Sequence, residues 1–401
     1  MDTPTDQPID YDNGPNEWSN EISSFYQNLN LDPDLYYCID KLPRYARVVG
    51  FDYRINHISD PLTTQPPLKK YKLEDSKLPT QENTVQDNDK LNIAFKTDIQ
   101  NLTSLSSQLE KEVGCQVSIS NTILGLLRIS NGKAKINSSN LYKTGKIIGF
   151  DLSSAIAAIS LDVKPNDHVL DLCCAPGGKL LFIADKIHSH GAPHSLCSGS
   201  VTGVDISKKR LSTCQSLIKK SKSQSKIRIR LFASDGTTFN VPPPEDSWWD
   251  YSTLKQQSCK KLQPKEVPID SISTPNIKPF FSSKLLRNIY TPPLEITADT
   301  RIRKYNKVLV DAECSHDGSL VHLSKYINSN SQSIFGKLDS DFLSQDRLES
   351  VSELQLDLIL NGWNNLSTGG TLVYSTCSLS YKQNELVIAK FLETVFKNSS
   401  R

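Results

Sequence analysis

The sequence contains no pair of cysteines with two residues between them, although nine cysteines are spread over its 401 residues. Without a Cys-x-x-Cys pair, a zinc site has no foothold. An odd number of unpatterned thiols points to a reducing compartment. No apolar run approaches the ~18 residues of a membrane span. No secretory signal opens the chain, and residues 1–40 hold no Lys or Arg, the reverse of a mitochondrial presequence. These absences predict a chain of the nucleus (nucleolus) or cytoplasm, not secreted and not membrane-bound. Charge of either sign is not in excess: 46 Lys and Arg against 44 Asp and Glu leave +2, too little to argue for nucleic acid by itself. There is no internal repeat, no G-x-x-x-x-G-K-[ST] loop and no G-x-G-x-x-G turn, which disfavours Walker and dinucleotide sites.

What is present is polar for a globular chain: 37% hydrophobic residues and a mean hydropathy of −0.39, which predicts polar tails or insertions. Residues 1–20 read as a disordered acidic tail. Residues 21–140 read as a small α+β unit, interrupted at 58–91 by a polar linker with Pro61, Pro66, Pro67 and Pro79. Within this unit Leu102, Leu105 and Leu109 fit a helix. Beyond residue 141 a βαβ alternation begins. Strands are predicted at 168–173, 201–205, 227–232, 307–311 and 371–376, with helices at 152–161, 178–188, 207–221, 349–366 and 383–397. Such alternation predicts an α/β fold with a mostly parallel, Rossmann-like sheet. Residues 237–300, with Pro242-Pro243-Pro244 and Trp248-Trp249, read as a long insertion. Residues 326–345 read as a second polar loop.

Chemistry-bearing residues fall at the ends of these strands. The first strand runs through Asp171 into Cys173-Cys174-Ala175-Pro176-Gly177-Gly178-Lys179, small residues before a helix whose first N–H groups are free for a ligand. The second strand ends in Asp205, placed to accept ribose hydroxyls, and the third near Asp235, within reach of a base. The alternative for these carboxylates is the capping of turns and helices. Two further strands end in Asp311-Ala312-Glu313-Cys314 and Ser375-Thr376-Cys377. Ligands collect at the carboxyl ends of parallel strands, so two thiols there predict covalent chemistry beside a nucleotide-like cofactor.

In these pieces the chain resembles the Sun/Nop2-type RNA (cytosine-5) methyltransferases. The resemblance rests on Asp171 to Lys179, Gly203-Val204-Asp205-Ile206-Ser207 with Arg210-Leu211, Asp235, Asp311 to Ser315, and Tyr374-Ser375-Thr376-Cys377-Ser378-Leu379 with Asn384-Glu385. It is strong over about 141–235 and 305–398. It implies S-adenosylmethionine as cofactor, held by Cys173, Cys174, Ala175, Pro176, Gly177, Gly178, Lys179, Asp205, Asp235 and Asp311. It also implies an RNA substrate (rRNA or tRNA), a monomer, no metal, and an RNA-facing role for the N-terminal unit. By the same resemblance Cys377 is the nucleophile, Cys314 serves product release and Asp311 contacts the cytosine ring.

Three departures from the family pattern stand out. Glu313 replaces the usual Pro before Cys314, and its carboxylate is expected to disfavour a thiolate there. Ser315-His316-Asp317-Gly318 replaces Ser-Gly-x-Gly, which leaves Glu313 or His316 as an alternative proton acceptor. Phe150 stands where Gln is common. The nine basic residues of 206–230 and the trio Arg44, Tyr45 and Arg47 are candidate RNA contacts. His168, His188, His190, His194 and His322 read as surface or loop residues. The competing readings are an RNA-binding or scaffold protein that keeps the cofactor fold, and a methyltransferase acting on protein or a small molecule.

Overall fold

A computed structural model of the chain describes residues 42–51, 53–55, 84–188, 198–221, 228–244, 278–287, 303–319 and 345–399. The tail at 1–20, residues 58–83 of the linker, Trp248-Trp249 with most of the 237–300 insertion, and nearly all of the 326–345 loop lie outside the described residues, as do His190, His194 and His322.

The described residues begin with β1 (Arg44–Val48), β2 (Arg54–Ile55), α1 (Thr84–Val113), β3 (Val117–Ile119), β4 (Ile123–Leu124) and β5 (Leu126–Ile129). They continue with α2 (Asn140–Lys143), β6 (Ile147–Gly149), α3 (Leu152–Ser160), β7 (His168–Asp171), α4 (Gly178–His188), β8 (Ser200–Asp205), α5 (Lys208–Lys220), β9 (Ile229–Ala233), β10 (Phe281–Ser282) and α6 (Lys284–Arg287). The last elements are β11 (Tyr305–Asp311), α7 (Gln345–Asn365), β12 (Leu366–Ser375) and α8 (Glu385–Ser399). Helix α1 begins inside the segment read as linker, since no proline follows Pro79 to stop it.

A four-stranded sheet, β3-β5-β1-β6, pairs antiparallel throughout. A six-stranded sheet follows the order β10-β9-β8-β7-β11-β12. Its centre is parallel, with Asp171 opposite Gly203 and Asp205 opposite Ala233, and β10 pairs antiparallel with β9. Every residue of β7 and β8 is buried, as expected of parallel strands covered on both faces. That is why they read as unbroken apolar runs. The α/β Rossmann-like architecture with an additional small sheet is therefore present.

The chain divides into two compact units, one of Asp40–Val310 with Asn361–Val373, the other including Asp311–Leu360 with Tyr374–Arg401. In the first, α4 is buried on nearly all sides, and its Asp185 forms a buried ion pair with Arg47 of β1 at 2.5 Å. Tyr53 also bonds Arg47 (2.9 Å), and Gly50 N donates to Asp185 at 3.3 Å. Phe150 and Tyr53 both stack on Phe182, with centroids 5.3 and 4.2 Å away. Phe150, a departure from the family pattern, is thus a core residue.

Several sequence readings are corrected here. Arg47 is fully buried and cannot touch RNA, while Arg44 Nη1 donates to the Ala134 carbonyl at 2.8 Å. Arg230 is buried too, its guanidinium shared among Thr202, Tyr305 and the Pro242 carbonyl. Arg228 bonds the Ser198 carbonyl. Among the described residues of the basic segment, the exposed cations are Lys208, Lys209, Arg210 and Lys219 of α5. His168 is not a surface residue. It lies buried in β7 with Nδ1 2.7 Å from Ser200 Oγ. Among the described residues no helix is long and apolar enough to cross a membrane.

Candidate active site

The first unit carries the Gly-rich turn. Strand β7 delivers Asp171, and the chain then turns through 173–177 into α4. Gly177 has φ +103, and a Cβ there would lie 2.6 Å from Cys214 Sγ, so only glycine makes this turn without displacing α5. Gly177→Ala is expected to cost about 1–3 kcal/mol, read from the urea unfolding midpoint; an unchanged midpoint would show that the turn is not constrained. Cys174 is turned into the core, where burial pushes its thiol well up. Cys173, Gly178 and Lys179 are half-buried, Ala175 is buried and Pro176 is exposed. Arg210 of α5 holds the turn by donating to the Ala175 carbonyl at 2.7 Å.

Asp205 is buried at the end of β8, next to β7. Its Oδ1 accepts from Ser207 N at 2.8 Å, and its Oδ2 lies 3.6 Å from Arg210. Asp235, just past β9, accepts from both Thr237 N and Thr237 Oγ1 at 2.8 Å. The turn-capping alternative for these carboxylates is therefore realised, by one oxygen in each. Three strand-end carboxylates on neighbouring strands and a glycine turn entering a helix N-terminus form a donor set suited to a nucleoside-bearing ligand.

The second unit carries the thiols. Cys314 and Cys377 lie with sulfurs 2.9 Å apart, and Cys314 Sγ also accepts from the Cys377 backbone N–H at 3.3 Å. His316 Nδ1 is 2.8 Å from Cys377 Sγ and 3.7 Å from Cys314 Sγ. Asp311 accepts from Ser375 Oγ at 2.7 Å, and Ala312 N bonds the Ser375 carbonyl at 3.1 Å. Sequence positions some sixty residues apart are thereby brought into one cluster.

Two loops are clamped together to hold this cluster. Gly318 N donates to the Cys377 carbonyl (2.9 Å), Leu379 N donates to Asp317 Oδ2 (2.8 Å), and Ser315 Oγ donates to Ser378 Oγ (3.1 Å). Beneath them two fully buried amides act as braces. Gln383 accepts from Ser315 N (3.0 Å) and donates to Ser315 Oγ (2.8 Å), and Gln355 donates to the Glu313 carbonyl at 2.7 Å. Gln383 escapes a sequence reading, because its one signal is a polar run, Tyr381 to Asn384, ahead of α8.

The hydrogen bond from Cys377 holds the Cys314 thiol down to about 5, against its burial, with His316 adding to the effect. Cys377 moves the other way: its bond to Cys314, its burial and the charges of Asp311 and Asp317 push it up. Of the pair, Cys314 is the thiol held toward its ionised form and Cys377 the one held toward its protonated form. The Glu313 carboxylate is half-exposed and lies 3.7 Å from Arg347.

An unfolded thiol keeps its proton to about pH 8.5, whereas the folded pair releases one near 5. The Cys314 thiolate therefore adds stability that is full above the unfolded value and is lost as pH falls through about 5. The ultraviolet thiolate absorption of the chain, minus that of Cys314→Ser, is expected to titrate with a midpoint near 5. A midpoint near 8.5, the free-thiol value, would overturn this assignment.

The donor atoms of Cys314, His316 and Cys377 lie within 4.8 Å of one another, which is also the donor set of a soft metal. Two thiolates ~2.3 Å from a tetrahedral ion stand roughly 3.7 Å apart. The 2.9 Å between these sulfurs is a hydrogen-bond separation instead.

The family model of the 16S rRNA methyltransferase RsmB/F matches residues 291–400. A tRNA (cytosine(34)-C(5))-methyltransferase of Drosophila melanogaster is 25% identical over 240 residues, covering 60% of this chain and 24% of that protein. A multisite-specific tRNA:(cytosine-C5)-methyltransferase of Schizosaccharomyces pombe is 24% identical, covering 63% and 30%. A 5-cytosine rRNA methyltransferase of Bos taurus is 25% identical, covering 61% and 44%. The chain thus spans between a quarter and just under half the length of these relatives. A solved methyltransferase homologue from Pyrococcus horikoshii superposes with a TM-score of 0.46 at 17% identity, covering 94% of this chain and 83% of that one.

Proposed function

We propose that the chain, which is similar to RNA (cytosine-5) methyltransferases of the Sun/Nop2 type, methylates carbon 5 of a cytosine in rRNA or tRNA through a covalent cysteine adduct. The observation that supports this most is the thiol pair: two cysteines with sulfurs 2.9 Å apart, and His316 Nδ1 2.8 Å from Cys377 Sγ. Carbon 5 of cytosine is a poor nucleophile. A sulfur adding to carbon 6 breaks the ring's aromaticity and makes carbon 5 electron-rich. Cys377, the less buried thiol, is the attacking group. Asp311 holds the ring nitrogen by a charge-assisted bond. Cys314, already ionised, accepts the carbon 5 proton at release.

S-adenosylmethionine supplies the electrophilic methyl group. The turn from Cys173 to Lys179, with Asp205 and Asp235, would hold it. The buried Asp205 carboxylate suits ribose hydroxyls, and the N–H groups opening α4 suit its carboxylate. Residues 21–140 are the proposed RNA-facing unit, and the catalytic part runs from 141 onward. A target cytosine in a helix must be extruded to reach Cys377.

The test is incubation of the full chain with labelled S-adenosylmethionine and RNA depleted of existing methylation, followed by nucleoside analysis. Label in 5-methylcytosine is expected. Cofactor binding without transfer to rRNA, tRNA or mRNA pools would favour the scaffold reading instead.

A further inference from the structure

We propose that His316 is the base that takes the Cys377 proton when that sulfur attacks, and returns it when the sulfur leaves. The proposal deepens the reading above and rests on Cys377 being the nucleophile.

Three observations carry it. First, His316 Nδ1 is 2.8 Å from Cys377 Sγ, within hydrogen-bond reach and nearer than it is to Cys314. Second, His316 has φ +56, a left-handed backbone that a residue with a Cβ rarely adopts. Such a conformation persists only where the surroundings enforce it. Third, those surroundings are visible: Ser315, Asp317 and Gly318, the neighbours of His316, each bond the 377–379 segment. The loop is tied to the Cys377 segment at three points, and the residue between the ties presents its ring nitrogen to the sulfur.

The groups facing Cys377 are Cys314, His316, Asp311 and Asp317. The two carboxylates oppose its ionisation. Cys314, holding the pair's first negative charge, opposes it as well. A nucleophile so placed is protonated at rest and needs a neutral acceptor that becomes a cation beside it. A histidine carrying its proton on Nε2 is such an acceptor. In the attack the S–H bond breaks and its proton goes to Nδ1. The sulfur's electron pair forms the bond to carbon 6, and the carbon 5–carbon 6 pair moves into the ring, from which carbon 5 would bond the methyl group the cofactor supplies. In release the carbon 5–hydrogen bond breaks toward Cys314, and its pair restores the double bond. The carbon 6–sulfur pair leaves with sulfur, which takes the proton back from His316.

The test reads Cys377 without RNA or cofactor, so it stands apart from the methylation assay. The full chain is treated with iodoacetamide from pH 5 to 9, and modification of Cys377 is followed by peptide mass spectrometry. His316→Asn keeps a residue that tolerates positive φ but has no basic nitrogen. Its Cys377 modification rate near pH 7 is expected to fall at least tenfold, with the pH profile displaced upward. His316→Gly, also compatible with this backbone, is expected to fall likewise and to recover in added imidazole. Unchanged Cys377 rates in both variants, with a collapse only in Cys314→Ser, would make Cys314 the base and overturn the proposal. A fall that imidazole does not restore in His316→Gly would reduce His316 to a packing role and overturn it as well.

Discussion

Cys377→Ala is expected to reduce RNA methylation by roughly ten-thousand-fold or more, the scale seen when a covalent nucleophile is removed. Cys314→Ser is expected to behave differently. It keeps a nucleophile at 377 but lacks the thiolate that accepts the carbon 5 proton, so an RNA–protein adduct resistant to denaturation is expected to accumulate. The two variants separate because the sulfurs are not equivalent: Cys314 is held toward thiolate and Cys377 toward thiol. The check is a parallel measurement of label transfer and of a slow-migrating covalent band. Persistent cytosine methylation in Cys377→Ala would falsify the nucleophile assignment.

Asp185→Ala is expected to destabilise the first unit by about 3–5 kcal/mol, the usual cost of leaving one member of a buried ion pair without its partner. Arg47 is fully buried, and its Nε and Nη2 have no partner among the described residues. Removing Asp185 takes away its counter-charge and also the acceptor for Gly50 N. The double replacement Arg47→Met with Asp185→Leu is expected to lose far less, because no charge is then stranded. Urea unfolding of the three chains compares them. A loss below about 1 kcal/mol in Asp185→Ala, the range of an exposed pair, would show that water reaches this site.

These two sites differ in how they stand in the sequence. The thiols announce themselves, because each closes a strand-like run and sits in a recognisable motif. Residues 168–171 and 200–205 read as buried strands because both faces of the central sheet are covered, which makes them apolar throughout. Helix α5 is legible for a different reason: Leu211, Cys214 and Ile218 repeat at helical spacing, and Ser207 caps the start by accepting from Arg210 N. Arg47, in contrast, looked like a cation available to RNA. Nothing near it in sequence shows that Asp185, 138 residues away, neutralises it in the core.

Glu313 misled for a related reason. Adjacency in sequence suggested that its charge acts on Cys314, yet Cys314 is buried while the Glu313 side chain is about half exposed. Its carboxylate lies by Arg347.

The sequence by itself determined the class of fold, the order of the strand ends and the residue types that stand there, since these follow from local periodicity and from motifs short enough to read directly. Tertiary structure alone decided the state of the thiols. Which sulfur keeps the proton depends on Cys314, His316, Asp311 and Asp317 arriving around Cys377 from segments some sixty residues apart. Hydrogen bonding and charge at 3–4 Å have no counterpart in sequence separation.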